Sequence, residues 1–313
     1  MKSFVIVATV SDKKQVEYLI NGGADRLRIN SSHLSIVQLL DFLDFFWSMK
    51  KRVSVYIDLK GNKLRLSRYQ PELKLLAGQQ IELTTDTSKS NSLIVDERIL
   101  KYLSPDMTLS LSDGKIRLKI LSVERDVVRA LVLRGGTVEG AKGLNISPHP
   151  PELTGLTDID RFIIEKTRGY EFVRYALSFV SSPQEVKELK ELSGRFVVAK
   201  IERELSINTV MDIASAADEL WLCRGDLGAQ LGLGRLARFY RRFNQLMPKF
   251  SVPVLMAGGV LEHMIEHTAP TRSEVCHLID LVGHGYSGVV LSDETVAGKY
   301  PIETLKIIRE VTG

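Results

Sequence analysis

The chain is poor in cysteine, in tryptophan and in long apolar runs, and neither sign of charge dominates it. Cys223 and Cys276 are its only cysteines, which excludes a disulfide framework or a four-cysteine metal centre and makes a reducing cytoplasm the expected compartment. The longest apolar run, Val252 to Leu261, is about half of the roughly 20 residues that a membrane helix needs. No basic segment followed by an apolar one opens the chain, so neither a targeting leader nor a membrane partner is expected. With 42 Lys+Arg against 38 Asp+Glu the net charge is +4, too small and too dispersed for a nucleic-acid surface. What is plentiful is core-forming residue: 44% of the 313 are hydrophobic, enough for one barrel-sized domain with a small insert.

Short runs rich in Val, Ile and Leu alternate with stretches of helical period, the pattern of parallel strands joined by crossover helices. Three runs, Phe4–Val10, Asp25–Asn30 and Val53–Leu59, come first, with helices expected at Lys13–Asn21 and Leu34–Lys50. After Gly61 the segments become short and alternating, at Leu64–Leu66, Gln80–Thr84, Thr108–Leu111, Arg117–Val123 and Val127–Leu133, and are divided by turn residues. Five more apolar runs follow, at Phe172–Phe179, Phe196–Ile201, Glu219–Cys223, Val252–Ala257 and Gly288–Leu291, and a last helix at Ile302–Val311. Eight strands predict an α/β fold, a (β/α)8 TIM barrel over 1–60 and 150–313, with an all-β domain over 61–149 inserted after the third strand. An open doubly wound sheet is the competing topology.

In such a barrel the chemistry sits where strands end. Those positions hold Arg28, Asn30, Asp58, Lys60, Lys200, Glu202, Arg224, Asp226, Ser292 and Glu294. Glu202 and Asp226 are hard oxygen donors on neighbouring strand ends and suit Mg2+ or Mn2+. Lys200 lies two residues before Glu202, on the same side of an extended strand, where an ammonium group stabilises the charge of a phosphoryl group in transfer. Gly225 lets backbone N–H groups approach an anion. His33, His263, His267 and His284 show no metal-ligand spacing; His263 and His267, four apart, can share a helix face, but solvated helix histidines are far commoner than a two-ligand metal site, and they are read as solvated.

The ordered motifs resemble those of the pyruvate kinase family across nearly the whole chain: Arg28-Ile-Asn-Ser-Ser-His33, Asp58-Leu-Lys-Gly61, Ser112-Asp-Gly-Lys115, Lys142-Gly-Leu-Asn145, Ala199-Lys-Ile-Glu202, Arg224-Gly-Asp-Leu-Gly228, Pro270-Thr-Arg-Ser-Glu274 and Leu291-Ser-Asp-Glu-Thr295. The resemblance implies conversion of phosphoenolpyruvate and ADP to pyruvate and ATP through enolpyruvate. It gives Lys200 and Arg28 the phosphoryl group, Glu202 and Asp226 the metal, and Gly225, Asp226 and Gly258 the substrate. It assigns the nucleotide to His33, Arg65 and Lys142. Asn30, Ser32 and Asp58 match a monovalent-cation site; Lys63 stands where potassium-dependent members carry glutamate, so K+ is expected to be dispensable.

Two departures stand out. Gly258 replaces the family threonine that places the pyruvate carboxylate, and the sequence closes after its last barrel helix, so the family's C-terminal domain and its effector control are expected to be missing. A metal-dependent enolate enzyme acting on 2-oxo acids and a low-activity binding or regulatory homologue are therefore the alternatives. A homo-oligomer is neither required nor excluded by the sequence.

Overall fold

The computed structural model describes residues 4–49, 53–112, 114–124, 127–150, 153–205 and 207–313. They form two compact units, one of residues 1–61, 154–224 and 239–313 and the other of 62–153 and 225–238. Among the described residues no helix is long and apolar enough to cross a membrane.

In the first unit eight parallel strands close into a barrel: Val5–Val10, Arg26–Asn30, Val55–Asp58, Val173–Leu177, Val197–Ile201, Glu219–Cys223, Val254–Ala257 and Gly288–Leu291. The first pairs with the eighth, Val5 opposite Gly288, which settles the topology against an open sheet. Most strand residues are buried on both faces, and that double burial is why the strands read as unbroken apolar runs. The helix expected at Lys13–Asn21 has those bounds and is capped by Asp12 and Gln15. The next helix runs only over Ile36–Ser48, because Ser35 and Gln38 form a capping box that fixes its start; Lys50 lies outside the described residues.

The barrel interior is filled by Val7, Tyr56, Ala176, Val198, Trp221, Leu255 and Val290. Tyr56 and Trp221 meet with ring centroids 5.5 Å apart. Below this layer the Trp221 indole N–H donates to Glu219 at 2.8 Å, and Glu219 also accepts from Arg26 at 2.7 Å. Trp47, the other tryptophan, is 63% exposed on the helix Ile36–Ser48.

The second unit holds a seven-stranded sheet in the order Leu64–Arg65, Gly143–Ser147, Thr108–Leu111, Ile116–Glu124, Val127–Arg134, Gln80–Thr84 and Ser92–Ile94, with a separate pair, Leu73–Leu75 and Gly136–Val138. Its own core includes Leu83, Leu93, Leu109, Leu118 and Ala130. Four of these strands, at 73–75, 92–94, 136–138 and 143–147, are absent from the sequence-based expectation. Three of them are only three residues long, too short to show a period of two. Leu111 pairs with Ile116 across the Asp-Gly hairpin, whose Asp113 lies outside the described residues.

Candidate functional site

Side chains two residues apart on a strand share a face. Moving two residues beyond the apolar layer therefore gives the next layer of the barrel interior, and it is polar: Thr9, Asp58, Ser178, Lys200 and Ser292, with Cys223 among them. Lys200 is its centre. Its Nζ lies 2.9 Å from both Asp58 oxygens, 3.0 Å from Ser178 Oγ and 2.9 Å from Glu202 Oε1. Lys200, Asp58 and Glu202 are all buried.

Asp58 also accepts from Arg28, through Nε at 2.8 Å and through a shorter contact from Nη2. The Arg28 Nη1 group donates to Thr9 Oγ1 at 2.9 Å and to Ser292 Oγ at 3.4 Å. Burial alone would raise the Asp58 pKa, yet Lys200 and Arg28 hold it below the usual carboxylate value. Burial likewise opposes the Lys200 charge, and Asp58 and Glu202 reverse that, raising its pKa. The result is an ammonium and a guanidinium held charged at the strand ends by two buried carboxylates, Asp58 and Glu202. Burial, then Glu202, raises the Cys223 thiol well above its ordinary range, so it is a neutral filler and no nucleophile.

Glu202 is held on its other oxygen by the Phe179 N–H at 3.0 Å; Phe179 sits at φ 57, a left-handed conformation that costs a bulky residue energy and that this hydrogen bond helps to hold. Gly61 is required for a similar reason: its φ is 58, and a Cβ there would lie 3.0 Å from Ser178. Asn30 turns back on its own chain, its Oδ1 accepting from the Ser32 N–H at 3.1 Å, and Ser31 Oγ donates to the Asp58 carbonyl at 2.6 Å. The His33 side chain lies outside the described atoms.

Asp226 belongs to the second unit, as does Lys63, and the Lys63 ammonium lies 2.8 Å from Asp226 Oδ1 and 2.9 Å from Oδ2. Asn145 reaches the same carboxylate at 3.4 Å. Arg65 donates to the Ala141 carbonyl at 3.1 Å; burial lowers its pKa while Asp226 raises it. Lys63, Arg65, Ser67, Arg68, Tyr69 and Thr85 line a cavity of about 420 Å3 in this unit. Lys142 is exposed beside Glu139, 3.4 Å away. Gly225, at the start of the helix Arg224–Leu231, faces open space where a Cβ would be, whereas Gly228 packs 3.1 Å from Leu236. Gly225 is thus not a packing requirement, and a Cβ at Gly228 would need the Leu236 side chain to give way slightly.

The residues fit a hard divalent cation by the chemistry of the donors. Among the described residues no group of three or more His, Cys, Asp or Glu side chains gathers as a metal cage. Mg2+ is commonly held by one or two carboxylates with water and substrate phosphate completing its shell; Glu202, in the barrel unit, and Asp226, in the second unit, are each a donor of that kind.

The seventh strand ends in Gly258 at φ 90 and Gly259 at φ 60. Arg224 clamps this corner from the barrel unit: Nε and Nη2 donate to the Gly258 carbonyl at 3.1 and 2.8 Å, Nη2 to Gly259 at 2.9 Å, and Nη1 to His277 Nε2 at 2.6 Å. Burial, then Arg224, pushes the His277 pKa down to about 4, keeping it an acceptor. Glu294 secures the next residues, accepting from Val260 and Leu261 N–H groups at 3.0 and 3.4 Å. A side chain at 258 must therefore tolerate a positive φ in a held corner. Gly258→Thr and Gly258→Ala are expected to lose the same stability, about 1–2 kcal/mol, in urea unfolding; a wild-type midpoint in either would show that the corner relaxes.

The sequence reading does not point to Ser178 or to the Glu219–Arg26 pair as site or structural partners. Small hydroxyls carry no pattern of their own, and only the parity of the apolar layer could have pointed to them.

Residues 1–305 match the family model for the barrel domain of pyruvate kinase. The pyruvate kinase of Thermotoga maritima is 31% identical over 99% of this chain and 70% of its own length. That of Methylorubrum extorquens is 30% identical over 98% and 67%, and that of Thermococcus litoralis 28% identical over 98% and 68%. The chain spans about two thirds of the length of these curated relatives.

Proposed function

This chain belongs to the pyruvate kinase family, and from that premise we propose that it transfers a phosphoryl group between phosphoenolpyruvate and ADP, yielding pyruvate and ATP. The observation that carries the reading is the Lys200 ammonium, buried among Asp58, Glu202 and Ser178 with Arg28 beside it. Phosphoryl transfer asks little covalent chemistry of a protein and much fixed positive charge. Lys200 neutralises the equatorial oxygens of the group in flight, and Arg28 orients it through its outer nitrogen, already aligned by Thr9 and Asp58. Glu202 is the barrel unit's candidate ligand for Mg2+ or Mn2+ and Asp226 the second unit's; such an ion would supply electrostatic stabilisation of enolate and phosphoryl oxygens. Arg65, His33 and Lys142 take the nucleotide side.

With no hydroxyl at 258, the proton that turns enolpyruvate into pyruvate comes from solvent at the Gly258–Gly259 corner. The same pair of glycines favours the second reading, an enzyme that forms the enolate of a larger 2-oxo acid without nucleotide.

Potassium independence rests on charge already in place. Asp58 is shared by two covalently attached cations, Lys200 and Arg28, so a bound K+ beside it would add repulsion. The test is a coupled assay of ATP formation from phosphoenolpyruvate and ADP with Mg2+. Equal rates in sodium, tetramethylammonium and potassium buffers are expected, and Lys63→Glu should create a potassium requirement. Absence of ATP formation under every metal and diphosphate, with exchange of the pyruvate methyl protons retained, would replace the kinase by the enolate reading.

A further inference from the structure

The short helical turn Glu262–Ile265 carries His263, and His267 follows one turn later. Sequence spacing alone makes these two solvated imidazoles. In the structure their rings are stacked, with centroids 3.8 Å apart and planes 8° from parallel. Both are tied through the same atom: His263 Nδ1 lies 3.0 Å from the Ala269 carbonyl and His267 Nδ1 lies 3.1 Å from the His263 carbonyl. A carbonyl oxygen can only accept, so each Nδ1 carries the proton. In the neutral rings the lone pair is then on Nε2 in both residues, the arrangement in which a backbone acceptor fixes the tautomer of a metal-binding histidine.

We propose that His263 and His267 form a two-imidazole clamp for a borderline transition-metal dication such as Zn2+, Ni2+ or Cu2+, with water filling the remaining positions. Paired imidazoles select these ions over Mg2+, which prefers oxygen. The two carbonyl contacts set the tautomer of both rings; the rings stand 8° from parallel, so binding one ion through both Nε2 atoms requires the stacked planes to open towards it. The segment is anchored at both sides, by the His263 N–H on Glu274 at 2.8 Å and by the Lys299 N–H on the Ile265 carbonyl at 2.9 Å. A bound ion would therefore brace the loop that begins at the Gly258–Gly259 corner, a region distinct in its ligand chemistry from the carboxylates Glu202 and Asp226.

The experiment is calorimetric titration of the full chain with Zn2+ and with Ni2+ at pH 7.5 in excess Mg2+, which occupies oxygen sites. One ion per chain is expected, together with a higher melting temperature. His263→Ala and His267→Ala should each weaken binding about tenfold or more, while His284→Ala, whose Nδ1 also meets a carbonyl, that of Asp280 at 2.7 Å, should not. Cys276 is an exposed free thiol, so Cys276→Ser is run alongside and should keep the affinity. Unchanged binding in both the His263 and His267 variants, no binding by the unmodified chain, or loss in Cys276→Ser alone would each overturn the proposal.

Discussion

Lys200→Met is expected to lower ATP formation at least about 100-fold, the scale seen when a charge-stabilising donor is removed from a reacting oxyanion. The geometry adds a second effect. Lys200 neutralises two buried carboxylates, Asp58 and Glu202, and removing one partner of a buried ion pair costs about 3–5 kcal/mol because the other charge is left uncompensated. The variant should thus unfold at lower denaturant as well as turn over slowly. Lys200→Met combined with Asp58→Asn separates the two effects: stability should recover in part, and turnover should not. Retention of more than a tenth of the wild-type rate in a folded Lys200→Met protein would remove the lysine from the phosphoryl step.

Asp58→Asn alone should be about as destabilising, again about 3–5 kcal/mol, since Arg28 and Lys200 both lean on that carboxylate. The effect has a pH signature. The Asp58 pKa is lowered from its usual 3.8, so its contribution is fully present above about pH 4 and disappears as pH falls through the lower folded value. The Lys200 pKa is raised above 10.5, so its contribution is present below that pH and is lost only in stronger alkali. Unfolding free energy measured from pH 7 down to pH 2 should fall more steeply in the wild type than in Asp58→Asn. Parallel curves would show that the carboxylate is not the acid-sensitive link. His277 adds to the same slope, because its pKa is depressed to about 4; its contribution is present above the usual 6.5 and fades as pH drops towards 4.

The barrel was legible because its strands are buried on both sides. Glu219–Cys223 and Gly288–Leu291 have the bounds read from sequence, and the charged residues of the site announced themselves by interrupting apolar runs at strand ends. Lys200 and Glu202 could be placed on one side from their spacing alone. Partner choice was not legible. Lys63 was expected beside Asp58, Asn30 and Ser32; its ammonium lies on Asp226, a residue 163 positions away along the chain, and no local pattern encodes that meeting. The direction taken by Arg224, towards the Gly258 carbonyl and His277, was hidden for the same reason. His263 and His267 show the difference within one pair: their spacing of four was visible, and the parallel stacking that makes them a clamp was not.

The scarcity of tryptophan leaves the molecule with an optical reporter of its own barrel. Trp221 is fully buried in the interior layer, its indole fixed to Glu219 and packed on Tyr56, while Trp47 is mostly in water. Iodide quenches an indole it can touch, so it silences Trp47 and leaves emission from the barrel centre. That residual light comes from a single ring one layer beneath Lys200 and Asp58. Its shift to longer wavelength marks water entering the closed sheet, independently of events in the inserted β unit, which contains no tryptophan.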